Sequence, residues 1–360
     1  MKTWLKKLLT DLETLPFEQE EAREAIINAT QKVLENDNLL AKAEAYYNTL
    51  FGGEDIGRAM VDWEDKEADA ILGGSMIFTV VYFARACYLM QSGAYLYDGK
   101  SVDFYHAVMR HLGVNIHRWD SFGFQNAQRY WAYGYIQPTF FELGRLAYEI
   151  TKFSYAFRVY QDPETGKTYA FADADRHYDV NGLPDNDGEF VTTFAEENGK
   201  VTGYIFDSLG RLDFEKKCFT DLVPAIQKGD PVLSVHMPGS VKLDENEITK
   251  SLVGAKAFFE KYFPELQFVA FVSSTWLLDT GLRRFLREDA NIVKLQNRFA
   301  ITIAAQNGFS LFDNIFKTKT YCPLEELVPT NRFQQEVLDM VKAGGHIYTG
   351  QGYIMKEQIL

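Results

Sequence analysis

The stretch VLSVHMPGSVKLDENEITKSL, residues 232–252, reads as a strand, a tight turn and a helix. Valine and leucine fill the strand, and the Pro238-Gly239 pair ends it. In the following helix, Ile248 and Leu252 begin a series of apolar residues three and four apart, which places one apolar face against a sheet. The stretch therefore predicts a strand-helix unit of a sheet with helical cover.

The start of this helix carries strong sequence signals. Asp244 is the predicted N-cap, Glu247 completes a capping box, and Leu243 with Ile248 forms a hydrophobic staple. A helix N-terminus after a strand attracts phosphate groups through its free N–H groups and its dipole. Here the carboxylates of Asp244, Glu245 and Glu247 stand where a pyrophosphate would lie, and their charge opposes the dipole. The sequence thus predicts a poor phosphate site.

A second strand is predicted over residues 268–274. A strand-helix-strand unit gives neighbouring parallel strands, so both carboxyl ends meet at the sheet edge where ligands bind in open α/β sheets. His236 ends the first strand, and the second ends with Ser273, Ser274, Thr275 and Trp276. These residues form the best-supported candidate for a functional site in the sequence. The alternative is that His236 is a hydrogen-bonded histidine near a turn and that the hydroxyl residues cap the next helix.

Composition limits the function classes. The chain has 360 residues, 46% hydrophobic and 24% charged, which suits two or more folded domains. A net charge of -13 leaves no broad basic field, so nucleic acid is not an expected partner. The cysteines Cys87, Cys218 and Cys322 lack CxxC spacing and no export signal is evident, which predicts a reducing, cytoplasmic setting. The most apolar run, residues 71–84, is shorter than a span of ~20 residues, so we expect a buried helix and no membrane association.

The periodicity of the chain changes near its first third. Helical patterns dominate before that point, and residues 1–134 are predicted to form an all-helical domain. Residues 135–360 alternate β-branched and aromatic residues with polar ones, and turn signals predict hairpins in 157–173 and 189–207. The fold class is therefore predicted as α+β, with a mixed sheet and hairpin insertions in the second domain.

Further elements are predicted towards the C-terminus. They are a helix over 245–262, a short helix over 281–287, strands over 291–304 and 309–316, a helix over 332–342 and a strand near His346.

The sequence gives little support to a hydrolase site or to a calcium site. A hydrolase would use Ser273 or Ser274 with His236 and Asp279, but the chain has no GxSxG motif there. The acidic run in residues 173–189 resembles a loose calcium loop, yet it lacks the glycine at the sixth position and the glutamate at the twelfth. A solvated loop is favoured, and no metal is expected.

Six segments occur in an order that resembles a known family. They are LGRLAYE (143–149), VTGYIFDSLGR (201–211), GDPVLSVHMP (229–238), STWLLD (274–279), NIVKLQNRF (291–299) and KAGGH (342–346). The chain resembles bacterial acyltransferase-domain proteins that join a helical N-acyltransferase N-terminal domain to a GNAT-like C-terminal domain. The resemblance implies an acyl-CoA-dependent N-acyltransferase acting on a small-molecule or peptide amine, with acyl-CoA or acetyl-CoA as co-substrate.

The resemblance also implies where the cofactor would bind. In GNAT-like domains two central strands diverge, the thioester enters between them, and the loop before the next helix holds the pyrophosphate. Carried onto this sequence, the strands are residues 232–236 and 268–274, and the cofactor contacts come from Met237, Gly239, Ser240 and Lys242. The loop departs from the pattern Q/R-x-x-G-x-G/A, because it keeps only Gly239. It is also followed by the carboxylates of Asp244, Glu245 and Glu247, which we call the acidic cap.

The same resemblance suggests catalytic roles. Acyl transfer to an amine needs a base for its proton and a donor that polarises the thioester carbonyl. His236 is the candidate base, and backbone N–H groups near Met237 are the candidate donors, with Ser274 or Thr275 assisting. Family members often carry histidine at the position of Ser274, which is a second departure.

Three residues are candidates for substrate contacts. Arg145 and Glu149 share one face of the predicted strand, where they hold an acceptor or form a structural ion pair. Trp276 contacts substrate or, with Met237, fills the gap between the strands. If the gap is filled, the rival function is a non-catalytic binding protein that has lost the pyrophosphate loop.

Overall fold

The computed structural model describes residues 2–51, 65–97, 100–101, 104–137, 139–239, 243–318 and 321–359. The chain divides into two compact units, Met1–Leu143 and Gly144–Leu360. The boundary therefore follows Leu143, whereas the change in sequence pattern suggests a boundary after Gly134. The α+β fold class is confirmed, with helices in the first unit and a mixed sheet in the second.

The first unit is mainly helical. Its helices are α1 (Thr3–Thr14), α2 (Glu20–Glu35), α3 (Asp37–Phe51), α4 (Lys66–Leu72), α5 (Met76–Ser92), α6 (Phe104–Trp119) and α7 (Asn126–Tyr135), and its short strands are β1 (Leu96–Tyr97), β2 (Lys100–Ser101) and β3 (Phe140–Leu143).

Helix α5 is the apolar centre of this unit. Most of its side chains are buried, which confirms the buried helix expected from the sequence. The helix begins later than the apolar run does, because Gly73 adopts a left-handed φ of 82° that ends α4. Across the described part of the chain, no single helix has the length and hydropathy of a membrane span, and only α4 and α5 taken together, bent by 81°, reach those values.

The second unit contains the longer strands. They are β4 (Leu146–Lys152), β5 (Phe157–Gln161), β6 (Thr168–Ala172), β7 (His177–Tyr178), β8 (Phe190–Val191), β9 (Ala195–Glu197), β10 (Lys200–Gly203), β11 (Lys217–Thr220), β12 (Val223–Ile226), β13 (Pro231–His236), β14 (Ala270–Thr275), β15 (Ala300–Gln306) and β16 (Tyr348–Met355). The helices are α8 (Glu245–Tyr262), α9 (Asn291–Gln296) and α10 (Arg332–Lys342), with shorter helical turns at Trp276–Leu278, Thr280–Phe285, Leu311–Phe316, Leu324–Glu326 and Lys356–Gln358.

The central sheet of this unit has the order β15-β16-β14-β13-β4. Strands β13 and β14 are parallel, as the strand-helix-strand pattern predicts, and the other pairs are antiparallel. Helix α8 covers one face of the sheet, where the Tyr148 hydroxyl and Ser251 Oγ are 2.9 Å apart. The helix has the predicted bounds, and the Asp244 carboxylate accepts hydrogen bonds from the N–H groups of Asn246 and Glu247.

The hairpin insertions cover the opposite face. Strands β5 and β6 pair across the turn predicted from their sequence, and β9 and β10 pair across Asn198-Gly199. Asn198 and Gly199 have φ of 51° and 73°, the left-handed values that this tight turn requires. Phe157 of the first hairpin packs in one apolar cluster with Val232 and Val272 of the central sheet.

One predicted strand is wrong in its first part, and another is wrong throughout. Residues 291–304 form α9 followed by β15, because the buried Gln296 amide donates to the carbonyls of Leu277 and Asp279 and holds the first segment in a helical turn. Residues 309–316 contain a helical turn, which places Leu311 and Ile315 four residues apart on one apolar cluster. In both segments tertiary contacts override the preference of β-branched residues for strands.

Candidate functional site

The two parallel strands separate at their carboxyl ends. Direct pairing of β13 with β14 ends at Ser234 and Val272. Beyond those residues β13 stays paired with β4 as far as His236, and β14 stays paired with β16 as far as Thr275. The sheet therefore continues on both sides of an opening between its two central strands. We call the end of β13 and the end of β14 the two arms of this opening.

Ser273 lies where the opening begins. Its hydroxyl is buried and donates to the carbonyl oxygen of Val235 at 2.9 Å, across the two strands. The Asp279 carboxylate, also buried, accepts from the N–H groups of Gly281 and Tyr348, and burial raises its pKa to about 6. Because these groups are used structurally, the hydrolase arrangement of Ser273, His236 and Asp279 is not formed.

The register decides which side chains share a face. Directly paired residues point to the same side, and side chains alternate along each strand. His236, Glu149 and Ser274 therefore lie on the face that the hairpins partly cover, with His236 and Ser274 on opposite arms of the opening. Thr275 points to the other face, where its hydroxyl accepts from the N–H of Leu277 and caps a helical turn.

His236 is paired with a carboxylate. Its Nε2 lies 3.0 Å from Oε2 of Glu149, and the two side chains are 19% and 25% exposed. Ser234 stands directly opposite Glu149, so the His236 contact is a diagonal one between adjacent strands. The sequence pattern LGRLAYE puts Glu149 on a strand but does not give the register that brings it to His236.

Tyr155 is a neighbour of Glu149 that the sequence analysis did not predict. Its ring packs against Phe153 and Phe157, with centroids 5.2 Å and 5.9 Å away. Burial and the nearby charge of Glu149 raise the pKa of the phenol, so it stays neutral. The Glu149 carboxylate therefore lies near an aromatic cluster made by Tyr155, Phe153 and Phe157.

The remaining substrate-contact candidates lie elsewhere. Arg145 is buried in the turn before β4, outside the strand predicted to carry it. Trp276 begins a helical turn and packs against an apolar cluster that includes Leu282 and Val337. The catalytic candidate Ser274, in contrast, lies on the β14 side of the opening, where it is exposed and paired with Gln351 of β16.

The predicted cofactor loop is described only in part. Met237 is half-buried, and Gly239 is exposed with open space where a Cβ would lie. Ser240 and Lys242 lie outside the described residues. Among the described residues, no heavy atom beyond the glycine and its chain neighbours lies within 4 Å of the position that a Cβ on Gly239 would take.

Two cations stand beside the first turn of α8. Lys294 Nζ lies 3.3 Å from Oε2 of Glu245, and Arg298 Nη2 donates to the Glu245 carbonyl at 3.1 Å and to Thr249 Oγ1 at 2.6 Å. The sequence did not suggest this contact, because both cations come from a segment predicted as a strand. They partly offset the acidic cap.

The acidic loop binds basic side chains. Asp173 pairs with Arg158 at 2.8 Å and with Lys228 at 2.6 Å. Within the residues that the structure describes, no group of three or more His, Cys, Asp or Glu side chains is placed to hold a metal ion.

Comparison with known proteins agrees with this architecture. Residues 205–354 match the family model of the GNAT-like C-terminal domain. The comparison with curated proteins gives no match. Among solved structures, an acyltransferase in complex with decanoyl-CoA is 16% identical with a TM-score of 0.58, and the alignment covers 98% of this chain and 97% of the other.

Two related structures align over similar lengths. An acyltransferase in complex with decanoyl-CoA and teicoplanin is 16% identical, with a TM-score of 0.58 and coverage of 98% of this chain and 94% of the other. A mutant acyltransferase in complex with octanoyl-CoA is 16% identical, with a TM-score of 0.58 and coverage of 96% and 93%. Likeness at this identity establishes the fold. Residues 205–354 thus form a GNAT-like C-terminal domain, in a chain that shares the fold of these acyltransferases.

Proposed function

We propose that this protein is an acyl-CoA-dependent N-acyltransferase that acts on a small-molecule or peptide amine. The observation that carries the proposal is the opening between β13 and β14, with His236 and Ser274 on the same face of its two arms. The decanoyl-CoA, octanoyl-CoA and CoA complexes of proteins with this fold support an acyl-CoA donor.

The reaction requires one acyl transfer and two proton transfers, the first from the amine to a base and the second from that base to the leaving thiolate. The acceptor nitrogen attacks the thioester carbonyl, forming a C–N bond, and the C–S bond then breaks. His236 takes the proton that the amine loses and then donates it to the departing CoA thiolate, which becomes the thiol and leaves the imidazole neutral again. The products are an amide and CoA, so atoms and charge balance without a metal or a redox partner.

A backbone donor for the carbonyl follows from the phase of β13. Pro231 and Val235 direct their carbonyls towards β14, because they accept from the Val269 N–H at 3.0 Å and from Ser273 Oγ at 2.9 Å. Met237, the first residue after β13, is next in this alternation, and we propose that its N–H is directed to the opening. We assign this N–H to polarise the thioester, with the Ser274 hydroxyl on the opposite arm.

The cofactor would run along the loop after β13. Gly239 leaves room for a phosphate to approach the backbone, and Met237, Ser240 and Lys242 supply the remaining proposed contacts. Lys294 and Arg298 add positive charge beside the first turn of α8.

The acceptor would meet the polar end of the face that carries His236. Ser274 and Gln351 offer uncharged hydrogen-bonding groups there. Arg145 and Trp276 would act by shaping the surroundings, because Arg145 is buried in a turn and Trp276 packs on a separate cluster.

One observation favours a second candidate, a non-catalytic GNAT-like binding protein. The Asp244 carboxylate already takes the N–H groups of Asn246 and Glu247 that a pyrophosphate would use.

CoA thiol release from decanoyl-CoA, with benzylamine as the acceptor, separates the two functions. The full chain should release CoA and form the amide seen by mass spectrometry, and His236→Ala should lower kcat by about 10²- to 10⁴-fold, the usual contribution of a general base. Release no faster than in buffer would favour the binding protein. Equal rates for the two proteins would refute His236 as the base.

A further inference from the structure

We infer that Glu149 is a positioning residue that fixes the tautomer of His236, so that Nδ1 is the nitrogen that receives the acceptor's proton. The inference rests on the proposed transferase function and names the working atom of its base. It differs from the sequence expectation that Glu149 contacts the acceptor.

The contact joins two rigid elements. His236 stands at the end of β13 and Glu149 near the middle of β4, and these antiparallel strands are paired along the whole of β13. The 3.0 Å distance joins Nε2 of the ring to Oε2 of the carboxylate. Because both backbones are held by the sheet, the ring is oriented by a partner that does not depend on a loop.

The choice of nitrogen follows from hydrogen-bond chemistry. An ionised carboxylate only accepts, so the nitrogen that contacts it must carry the proton. In a neutral imidazole the other nitrogen then holds the lone pair. With Nε2 donating to Glu149, that lone pair is on Nδ1.

The surroundings of Glu149 suit this role. The Glu149 side chain is 25% exposed and lies near the partly buried ring of Tyr155, which packs against Phe153 and Phe157. A carboxylate in such a site interacts more strongly with a partner than one in water does. It stabilises the imidazolium that forms when Nδ1 takes the amine proton.

The role implies that Glu149 acts through His236 and not beside it. A change that keeps the shape and removes the charge, Glu149→Gln, should lower kcat by about 10- to 100-fold, less than loss of the base itself. The KM for decanoyl-CoA should stay within about twofold, because Glu149 does not touch the cofactor in this scheme. A residue that only supports the fold would change both constants together.

Two measurements test the inference on the full-length protein. The first is a two-bond ¹H–¹⁵N correlation spectrum of ¹⁵N-histidine protein without ligand, in which the His236 signals are those lost in His236→Ala. We expect the proton on Nε2 and none on Nδ1, and Glu149→Ala should raise the fraction protonated at Nδ1. A proton on Nδ1 in the unmodified protein, or signals unchanged by Glu149→Ala, would overturn the inference.

The second measurement is a double-mutant cycle in the decanoyl-CoA and benzylamine assay. Residues that act as a unit give non-additive losses, so Glu149→Gln should cost nothing further once His236 is alanine. A full additional loss would show that Glu149 works independently and would refute the positioning role. The matched control is Glu336→Gln on α10, which removes the charge of a carboxylate that is 27% exposed and paired with Arg332, and it should leave the rate unchanged.

The two arms also separate this inference from the function it rests on. If no variant and no unmodified protein releases CoA, the transferase function fails, while the spectrum still decides the tautomer. If CoA is released but the spectrum shows a proton on Nδ1, the transferase stands and the positioning role falls.

Discussion

Removing the hydroxyl of Ser273 should weaken the second unit measurably. Ser273 Oγ donates to the Val235 carbonyl at 2.9 Å, and the side chain is 1% exposed. Ser273→Ala deletes a hydrogen bond worth about 1 kcal/mol net and leaves a buried carbonyl with one partner fewer, which brings the expected loss to about 1–3 kcal/mol.

Urea unfolding followed by circular dichroism measures this loss. A loss of about 2 kcal/mol corresponds to a fall in Tm of about 4–8 °C for a unit of this size. The neighbouring change Ser274→Ala is the matched control, because Ser274 is exposed and should shift stability by no more than about 0.5 kcal/mol. Equal effects of the two substitutions would show that the Ser273 bond does not hold the base of the opening.

Three further predictions concern stability and charge. Burial lowers the pKa of His111 to about 3, so the neutral ring stabilises the fold fully above its ordinary pKa of about 6.5. That stability should be lost as pH falls from about 6.5 towards 3, by up to about 1.4 kcal/mol per pH unit. Urea unfolding at a series of pH values should show that the free energy of unfolding depends less steeply on pH in His111→Gln; an equal dependence would contradict this role of His111. A Cβ at Gly350 would stand 2.2 Å from the Leu278 carbonyl oxygen, so Gly350→Ala should lower the free energy of unfolding in urea by more than about 2 kcal/mol. Gly239→Ala, where the Cβ would enter open space, should lower it by less than about 1 kcal/mol. Similar losses in the two variants would refute the clash. Asp244→Ser replaces the N-cap carboxylate with a hydroxyl, which keeps a side-chain oxygen as the hydrogen-bond acceptor and removes a charge. Decanoyl-CoA should therefore bind more tightly at low salt, with the free energy of unfolding changed by less than about 1 kcal/mol; unchanged affinity in calorimetry would show that the Asp244 charge does not face the phosphates.

Local signals predicted several elements well. Helix α8 has its predicted bounds because its N-cap and its apolar spacing agree, and α10 likewise runs over Arg332–Lys342. The Asn198-Gly199 turn could be predicted from the sequence, because asparagine and glycine are the residues that tolerate the left-handed backbone which this turn requires. In these segments the short-range chemistry alone selects the structure.

Contacts between distant segments were not readable in the same way. The pairing of His236 with Glu149 depends on the register of β13 against β4, and a shift of one residue would send the two side chains to opposite faces. The same alternation separates Ser274 from Thr275, which the sequence treats as equivalent hydroxyls. Strand propensity failed at residues 291–296, where buried hydrogen bonds from Gln296 favour a helix, whereas residues 300–304 form a strand as predicted.

The central claim is that acyl-CoA binds in the opening between β13 and β14, and calorimetric titration tests it most directly. The full chain would be titrated with acetyl-CoA and with decanoyl-CoA, beside Ser274→Trp, which adds a large ring at an exposed position on one arm of the opening. We predict a micromolar Kd for decanoyl-CoA, about -8 kcal/mol of binding free energy, and at least a tenfold weaker Kd for Ser274→Trp. No heat with either ligand, or the same Kd in Ser274→Trp, would contradict the account.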